Sequence, residues 1–217
     1  MLYAVCYMLH DMGRLVDDLV RNGYLRTNNI VDAFSEIPRT EFVPKDLENQ
    51  AEANIPLPIG YGQTISQPLT VALMLELLDP QSGQNILDIG AGSGWTTALL
   101  AHIVGGAGNV TALEVIPELC KSGEKNVSKF SFIKKGIVQF HCQSAENGFE
   151  KKAPYDRILV SASAEEIPKA FKEQLKIGGK MVIPVRNEIW FVEKKGQDEF
   201  NIEKFAGFSF VPFIEKN

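Results

Sequence analysis

The sequence predicts an α/β protein with a doubly wound, mostly parallel sheet, preceded by an N-terminal helical and loop extension and completed by a C-terminal antiparallel strand pair. Three observations favour this fold. From residue 85 onward, short apolar segments alternate with helical segments, the rhythm of parallel strands joined by crossover helices. The first of these strands runs directly into a glycine-rich turn, residues 90–94. Before residue 80 the sequence has helical periodicity and a proline-rich stretch, with little strand alternation.

The first 80 residues predict helices and one long loop. The segment "RLVDDLVRNGYL" has a helical apolar stripe that ends near Asn22-Gly23, and "NNIVDAFSEIP" repeats the pattern up to Pro38. Residues 39–68 are rich in proline and show little periodicity, which predicts a long loop, and long loops in compact domains are usually functional. A helix resumes with "LTVALMLELL". We expect residues 1–80 to pack on a core of residues 81–217 as one compact unit.

Strands and helices then alternate through the core. The predicted strands are "NILDI", "NVTALEV", "GIVQFHC", "YDRILVSAS" and "KMVIPV". The predicted helices are "WTTALLAHIV", "PELCKSGEKNV" and "IPKAFKEQL", the last of which should close at Gly178-Gly179. The segments "EIWFVEKK" and "IEKFAGFSFVPF", separated by a polar turn, predict the closing antiparallel pair. Helices are expected on both faces of the sheet, so the parallel strands should be buried.

Composition argues against several classes of function. The formal net charge of −5 argues against a protein that binds nucleic acid by neutralising phosphates. The chain has no run of about 18 apolar residues, so no membrane span is predicted. The opening "MLYAVCYMLHDMG" lacks the basic start and the small-residue cleavage site of a signal peptide. We therefore expect a cytoplasmic protein.

The cysteines and histidines are predicted to be structural. The three cysteines show neither the pattern of a disulfide framework nor a metal-ligand spacing, so we expect reduced thiols and no metal. None of the three histidines has a recognisable catalytic context. These residues are Cys6, Cys120, Cys142, His10, His102 and His141.

The glycine turn predicts a ligand at the carboxyl edge of the sheet. A strand, a glycine turn and a helix serve mononucleotides, dinucleotides and S-adenosylmethionine alike, because all use the same backbone N–H groups. A P-loop requires Lys-Ser/Thr after its last glycine, whereas Trp95-Thr96 follow here. The dinucleotide fingerprint requires a small residue three positions after Gly92, where helix and strand pack closely, and Trp95 occupies that position.

Two carboxylates distinguish the remaining ligands. Asp88, two residues before the first glycine, would repel a pyrophosphate but attract a ligand that carries an ammonium and a sulfonium. Glu114 ends the second core strand, where a carboxylate can accept hydrogen bonds from both ribose hydroxyls. The combination favours S-adenosylmethionine over a nicotinamide cofactor. The alternative is that Asp88 only caps the turn and Glu114 is only solvated.

Several further segments resemble the protein-L-isoaspartate O-methyltransferase family. The most specific is "LPIGYGQTISQP", residues 57–68, and the resemblance continues in "IPRTEFVP", "LDIGAGSG", "PYDRILVSAS", "GGKMVIPV" and "FSFVPF". It spans roughly residues 15–213 and implies a Rossmann-like methyltransferase fold. The family transfers a methyl group from S-adenosylmethionine to the α-carboxylate exposed by an isoaspartyl linkage in a damaged protein or peptide. The ester then collapses to a succinimide, which partly reopens to a normal aspartyl bond.

The resemblance also implies roles for individual residues. Ser66 corresponds to the active-site serine, and Gln63, Thr64 and Ile65 would line the donor and isoaspartyl sites. Glu114 would bind the donor ribose and Val115 would flank the adenine. The remaining residues expected to bind the donor are Asp88, Gly90, Ala91, Gly92, Ser93, Gly94, Ser144 and Ala145.

The chemistry of the reaction agrees with these residue types. A carboxylate with a solution pKa of about 4 is already an anion at neutral pH, so its attack on a sulfonium methyl needs positioning rather than a strong base. Ser66 suits binding and orientation of that carboxylate. No Gly-x-Ser-x-Gly surrounds Ser66, which argues against a hydrolase nucleophile.

Two segments depart from the family pattern. Gln143-Ser144-Ala145 stand where the family usually has Gly-Asp-Gly, which would lower donor affinity unless Glu146 supplies the acid. Glu52-Ala53-Asn54 replace Tyr-x-Asp near the expected peptide entrance. Two alternatives therefore stay open: a methyltransferase for another peptide or small-molecule acceptor, and a donor-binding relative without catalysis. We expect a monomer in each case.

Overall fold

The computed structural model describes residues 14–214, so Cys6, His10 and the opening segment lie outside the described residues. Its helices are α1 Arg14–Arg21, α2 Asn28–Glu36, α3 Pro68–Leu78, α4 Trp95–Val104, α5 Pro117–Ser128 and α6 Lys169–Gln174. Its strands are β1 Leu57–Gly60, β2 Gln63–Ile65, β3 Asn85–Ile89, β4 Asn109–Glu114, β5 Val138–Cys142, β6 Tyr155–Val160, β7 Leu175–Val185, β8 Glu188–Lys194 and β9 Phe200–Ala206. Within residues 14–214, no helix has the length and apolarity needed to cross a membrane.

Seven strands form one sheet in the order β5-β4-β3-β6-β7-β8-β9. Strands β3 to β7 pair in parallel, whereas β8 pairs antiparallel with β7 and β9 antiparallel with β8. The reversal of strand order between β3 and β6 is the topological switch point, where α/β sheets bind ligands outside the carboxyl ends of their strands. The predicted fold, with its C-terminal antiparallel pair, is confirmed.

Helix α4 and the N-terminal helices share one apolar core with the sheet. Leu99 and Leu100 of α4 are buried with Ile30 and Phe34 of α2 and with Leu75 of α3. Burial of such side chains is worth about 1.5–3 kcal/mol each, so the N-terminal helices are held to the sheet by apolar contacts.

Helix α2 begins at a cap supplied by another helix. Thr27 precedes α2 and makes no side-chain hydrogen bond into the helix start. Instead, the Glu76 carboxylate on α3 accepts bonds from the backbone N–H groups of Arg26 and Thr27 and from the Thr27 hydroxyl, at 2.8–2.9 Å. A carboxylate is favourable at a helix N-terminus, so this contact fixes α2 against α3.

The predicted long loop is not wholly irregular. It contains two 3₁₀ turns, Arg39–Phe42 and Lys45–Gln50, and a hairpin formed by β1 and β2. The hairpin reverses at Tyr61-Gly62, where both residues have positive φ. Such two-residue tips suit the right-handed twist of paired strands. The prolines and the brevity of both strands concealed the hairpin in the sequence.

Helix α6 also ends earlier than predicted. It stops at Gln174, and β7 begins immediately at Leu175, so Gly178-Gly179 lie inside the strand. A Cβ at Gly179 would lie 2.8 Å from the Lys176 carbonyl oxygen and 3.1 Å from that of Asp156. Gly179 is therefore explained by close packing within the sheet rather than by a helix end.

The prediction of reduced cysteines is wrong for two of them. Cys120 on α5 and Cys142 at the end of β5 form a disulfide, with 5.6 Å between their Cα atoms. Because α5 crosses back over the sheet and packs on β5, residues 22 positions apart in the chain become neighbours. Spacing in the sequence carries no signal of such a contact.

Candidate active site

A cleft of about 790 Å³, part of it open to solvent, lies at the carboxyl edge of the sheet. The cleft lies at the switch point between β3 and β6, bordered by β4 and covered by the β1–β2 hairpin. Its lining includes residues 63–66 after the hairpin turn, 89–93 of the glycine turn, 113–116 at the end of β4, Trp95, Thr96, Gln143, Ala145, Ser161, Ala162 and residues 211–214.

The glycine turn is held against the end of β4. The N–H groups of Gly90 and Ala91 both donate to the Leu113 carbonyl oxygen, at 2.9 and 3.1 Å. Gly94 has φ +89°, and a Cβ there would lie 2.8 Å from the Gly123 carbonyl oxygen on α5. Gly94 is thus explained by left-handed backbone and by the close approach of α5.

Glu114 is fixed in place by backbone donors. One of its carboxylate oxygens accepts a hydrogen bond from the Gly92 N–H at 2.8 Å, and the other accepts one from the Ile116 N–H at 2.9 Å. A carboxylate offers about four lone-pair sites, so each oxygen retains acceptor capacity. Glu114 lines the cleft and can therefore accept two further hydrogen bonds, as a ribose diol requires.

Asp88 lies fully buried beneath the turn. Its Oδ2 accepts hydrogen bonds from the hydroxyls of Thr97 at 2.6 Å and Thr96 at 3.1 Å. Its Oδ1 is buried with no hydrogen-bond partner among the described residues. Burial raises the pKa of Asp88 to about 6, against the lowering effect of the two hydroxyls, and the nearby Glu114 raises it further. An incompletely satisfied carboxylate beneath the turn favours a cationic ligand over a pyrophosphate.

Trp95 joins the N-terminal helices to the cleft. Its indole is buried, donates from Nε1 to the Ile37 carbonyl oxygen at 3.2 Å, and packs edge-on against Phe34 with 5.4 Å between ring centroids. The large indole at position 95 therefore packs against α2 and the loop that follows it. A dinucleotide-binding turn would instead need a small residue at that position, because helix and strand pack closely there.

The segment 63–66 forms the other wall of the cleft. Ile65 is buried in the core, and Ser66 lines the cleft just before α3 begins at Pro68. The N-terminus of α3 is capped by Asn54, whose side-chain oxygen accepts a bond from the Leu69 N–H at 2.9 Å. Asn54 belongs to residues 52–54, the segment that differs from the family pattern, so this segment has a structural role beside the site.

The structure brings together most residues that the sequence predicts for the site. Those that line the cleft are Gln63, Thr64, Ile65, Ser66, Gly90, Ala91, Gly92, Ser93, Glu114, Val115 and Ala145. The cleft lining within residues 14–214 does not include Asp88, Gly94 or Ser144. The Ser144 hydroxyl instead accepts a bond from the Glu146 N–H at 3.3 Å, and Gln143 lines the cleft.

Sequence reasoning missed two parts of the lining. Ser161 and Ala162 follow β6, and the rule that ligands bind at the carboxyl ends of parallel strands could have identified them. Residues 211–214 return to the cleft because Ser163 exchanges backbone hydrogen bonds of 2.8 Å with Val211 and Phe213. Within residues 14–214, no cluster of three or more His, Cys, Asp or Glu side chains is arranged to hold a metal ion.

Known proteins resemble this chain over nearly its whole length. The profile of the protein-L-isoaspartate(D-aspartate) O-methyltransferase family matches residues 10–217. The protein-L-isoaspartate O-methyltransferase of Methanopyrus kandleri is 45% identical over 205 residues, which cover 93% of this chain and 90% of the relative. That of Methanothermobacter thermautotrophicus is 37% identical over 215 residues, covering 97% and 98%.

Solved structures share the fold. A Plasmodium falciparum chain in complex with S-adenosyl-L-homocysteine superposes with a TM-score of 0.83 at 22% identity, covering 93% of this chain and 97% of that one. A structure of a protein-L-isoaspartate O-methyltransferase gives the same TM-score at 28% identity, covering 91% and 64%. Together with the family profile and the relatives, the cleft leads to one conclusion: the chain belongs to the protein-L-isoaspartate(D-aspartate) O-methyltransferase family.

Proposed function

We propose that this protein uses S-adenosylmethionine to methylate the α-carboxylate of L-isoaspartyl residues in damaged proteins and peptides. One observation carries the proposal: a single cleft joins the Gln63–Ser66 segment to the glycine turn and Glu114. The names of the relatives that cover most of the chain support the same activity.

The cleft suits the donor chemically. Gly90 to Ser93 would surround the methionine portion, Glu114 would accept hydrogen bonds from the ribose, and Val115 would lie beside the adenine. Buried beneath the turn, Asp88 would favour the positive charges of the ligand. The donor, when bound, supplies an electrophilic methyl group.

The chain's own task is to bind, orient and shield the acceptor. The α-carboxylate is already ionised at neutral pH, so no side chain has to remove a proton. Ser66 can hold the carboxylate in line with the methyl group, and such positioning can supply a large part of the rate enhancement. Ile59, Ile65 and Phe213 give the cleft apolar walls, which would limit the access of competing water once donor and acceptor are bound. After release, attack of the neighbouring backbone nitrogen on the ester expels methanol and gives the succinimide.

We also propose that the protein acts as a cytoplasmic monomer in which residues 1–80 and 81–217 form one unit. The donor is an intracellular metabolite, which supports the cytoplasmic location. The apolar core shared by α2, α3 and α4 supports a single unit. Sedimentation across a range of concentrations tests the monomer.

A methyl-transfer assay tests the proposed function. The protein is incubated with methyl-labelled donor and either an isoaspartyl peptide or its normal aspartyl twin, which differs only in the linkage. We expect label on the isoaspartyl peptide alone, in a base-labile ester. Transfer to neither peptide, with calorimetric binding of S-adenosylhomocysteine retained, would favour another acceptor or a non-catalytic relative.

A further inference from the structure

Arg39 occupies an unusual position for a charged side chain. It opens the 3₁₀ turn Arg39–Phe42 and is only 2% exposed, the largest fully buried side chain of the described residues. Burial lowers the pKa of Arg39 to about 10, and the carboxylate of Glu52 partly offsets that effect. Burying a guanidinium is costly, and the Nε of Arg39 has no hydrogen-bond partner among the described residues, so the bonds of its two terminal nitrogens indicate what the fold gains from it.

The guanidinium binds the backbone on both sides of the β1–β2 hairpin. Nη1 donates to the carbonyl oxygens of Ala51 at 3.0 Å and Ala53 at 3.3 Å. Nη2 donates to those of Ile55 at 2.8 Å, Ser66 at 3.1 Å and Ile65 at 3.4 Å. One planar group thus joins the irregular segment 51–55, which leads into the hairpin, to residues 65–66 at its exit.

The same guanidinium also lies against the donor side of the cleft. Its central carbon is 5.5 Å from the centroid of the Trp95 ring, within the range of a cation–π contact. Trp95 directly follows the glycine turn and lines the cleft. Arg39 therefore contacts both the Ser66 segment and the residue that begins α4, so it is placed to fix the distance between the two walls.

We propose that Arg39 is a positioning residue, which holds Ser66 and the segment before it at the distance from the glycine turn that methyl transfer requires. The proposal rests on the proposed function. Lysine could keep the charge, but its single ammonium lacks the planar fork that reaches five carbonyl oxygens. A misplacement of about 1 Å can cost about a hundredfold in rate, so Arg39→Lys is expected to lower kcat/KM by about that factor.

A double-mutant cycle distinguishes positioning from a merely structural role. If Arg39 acts through Ser66, Arg39→Lys should cost about a hundredfold in kcat/KM in the wild-type background but at most about threefold in a Ser66→Ala background. Affinity for S-adenosylhomocysteine should change much less than kcat/KM, by at most about threefold in all four proteins, since the glycine turn and Glu114 are untouched and only residues 63–65 of the donor site would shift. Equal losses in both backgrounds would overturn the proposal.

Arg157→Lys is the matched control. Arg157 is also a buried arginine, 8% exposed, and it donates to the carbonyl oxygens of Asp79 and Asp156, away from the cleft. Its replacement should lower the melting temperature without changing kcat/KM. If Arg157→Lys and Arg39→Lys lose activity in proportion to their melting temperatures, Arg39 is only a stabilising residue and the proposal is wrong.

A second measurement does not depend on the acceptor. Amide hydrogen exchange in Arg39→Lys should be faster in residues 51–66 and unchanged in residues 85–94, and unchanged exchange in 51–66 would overturn the proposal. If the wild type methylates no isoaspartyl peptide, the proposed function fails while exchange still decides whether Arg39 holds the segment. If neither Arg39→Lys nor Arg39→Gln folds at any temperature, Arg39 is a determinant of folding and the positioning proposal is wrong.

Discussion

Asp88→Asn is expected to stabilise the unliganded protein at neutral pH. Burial raises the pKa of this carboxyl from 3.8 to about 6. An acid with a raised pKa holds its proton more tightly in the folded chain than in the unfolded one. Stability is therefore lost as the pH rises from 3.8 to 6, and the loss is complete above that window. Asparagine carries no charge, and its side-chain oxygen can still accept hydrogen bonds from the hydroxyls of Thr96 and Thr97.

The size of the effect follows from the two pKa values. Each tenfold change in proton affinity is worth about 1.4 kcal/mol, so the ionised Asp88 costs about 3 kcal/mol at pH 7.5. At pH 4.5, where the folded group is still protonated, the same relation gives about 1 kcal/mol. Between about pH 4.5 and 7.5, the free energy of unfolding of Asp88→Asn should therefore increase by about 2 kcal/mol relative to that of wild type.

Urea unfolding at several pH values measures this difference, with Asp156→Asn as the control of opposite sign. Burial alone would raise the pKa of Asp156, but hydrogen bonds from Lys176 and the Asn85 N–H lower it overall. The ionised Asp156 carboxylate therefore stabilises the folded protein above the ordinary pKa of 3.8, and this stabilisation is lost as the pH falls through the lowered pKa. Asp156→Asn should therefore be less stable than wild type, by a nearly constant amount, over this range. If the difference in unfolding free energy between Asp88→Asn and wild type does not change with pH, or if Asp88→Asn is less stable than wild type at pH 7.5, the pKa of Asp88 is not raised by burial.

The same substitution tests whether the charge serves the donor. If Asp88 favours a cationic ligand, Asp88→Asn should bind S-adenosylmethionine about tenfold more weakly at pH 7.5, the loss expected for one interaction with a charged group. Titration calorimetry gives the affinity. Unchanged affinity would mean that Asp88 only fixes the start of α4 through Thr96 and Thr97.

Three further predictions concern the serine, the disulfide and the glycine turn. Ser66→Ala should lower kcat/KM for an isoaspartyl peptide by about ten- to a hundredfold, because one hydrogen bond to a charged acceptor is lost. Binding of S-adenosylhomocysteine should not weaken. Full activity of Ser66→Ala in steady-state assays would contradict this role. Reduction of the disulfide should lower the free energy of unfolding by about 3 kcal/mol, because the bridge closes a loop of 22 residues. Alkylation should label Cys120 and Cys142 only after reduction, and labelling beforehand would contradict the bridge. Gly94→Ala would bring a methyl group within 2.8 Å of the Gly123 carbonyl oxygen at φ +89° and should destabilise the protein by about 2 kcal/mol; an unchanged urea midpoint would show that α5 moves freely.

The parallel core could be predicted because its signals are local. Strand β3 is a short apolar run, and four of its five residues are buried, as a strand covered on both faces requires. The hairpin β1–β2 could not be predicted in the same way, because each strand has only three or four residues and one contains Pro58. The hairpin is held in place by contacts with residues that are distant in the sequence, above all by the hydrogen bonds of Arg39.

The site was predictable where one rule of geometry applies. Carboxyl ends of parallel strands meet at one edge, so Gly90, Glu114 and Ser161 had to lie near one another once the strands were identified. The return of residues 211–214 could not be inferred, because it depends on where β9 leaves the sheet and on the backbone pairing with Ser163. The disulfide could not be predicted for a related reason, because its two cysteines are brought together only by the packing of α5 on β5.

Gly94 shows why a glycine motif and a ligand site are separate inferences. In the sequence, Gly90, Gly92 and Gly94 look equivalent, and all three have positive φ in the structure. Around Gly90 and Gly92 the turn borders the cleft, whereas Gly94 faces α5 at a distance that leaves no room for a Cβ. Gly123 completes the contact from the other side, since a Cβ there would lie 2.6 Å from the Gly92 carbonyl oxygen. The motif thus specifies first a backbone path that α5 can pack against, and that packing holds Gly92 where its N–H meets Glu114.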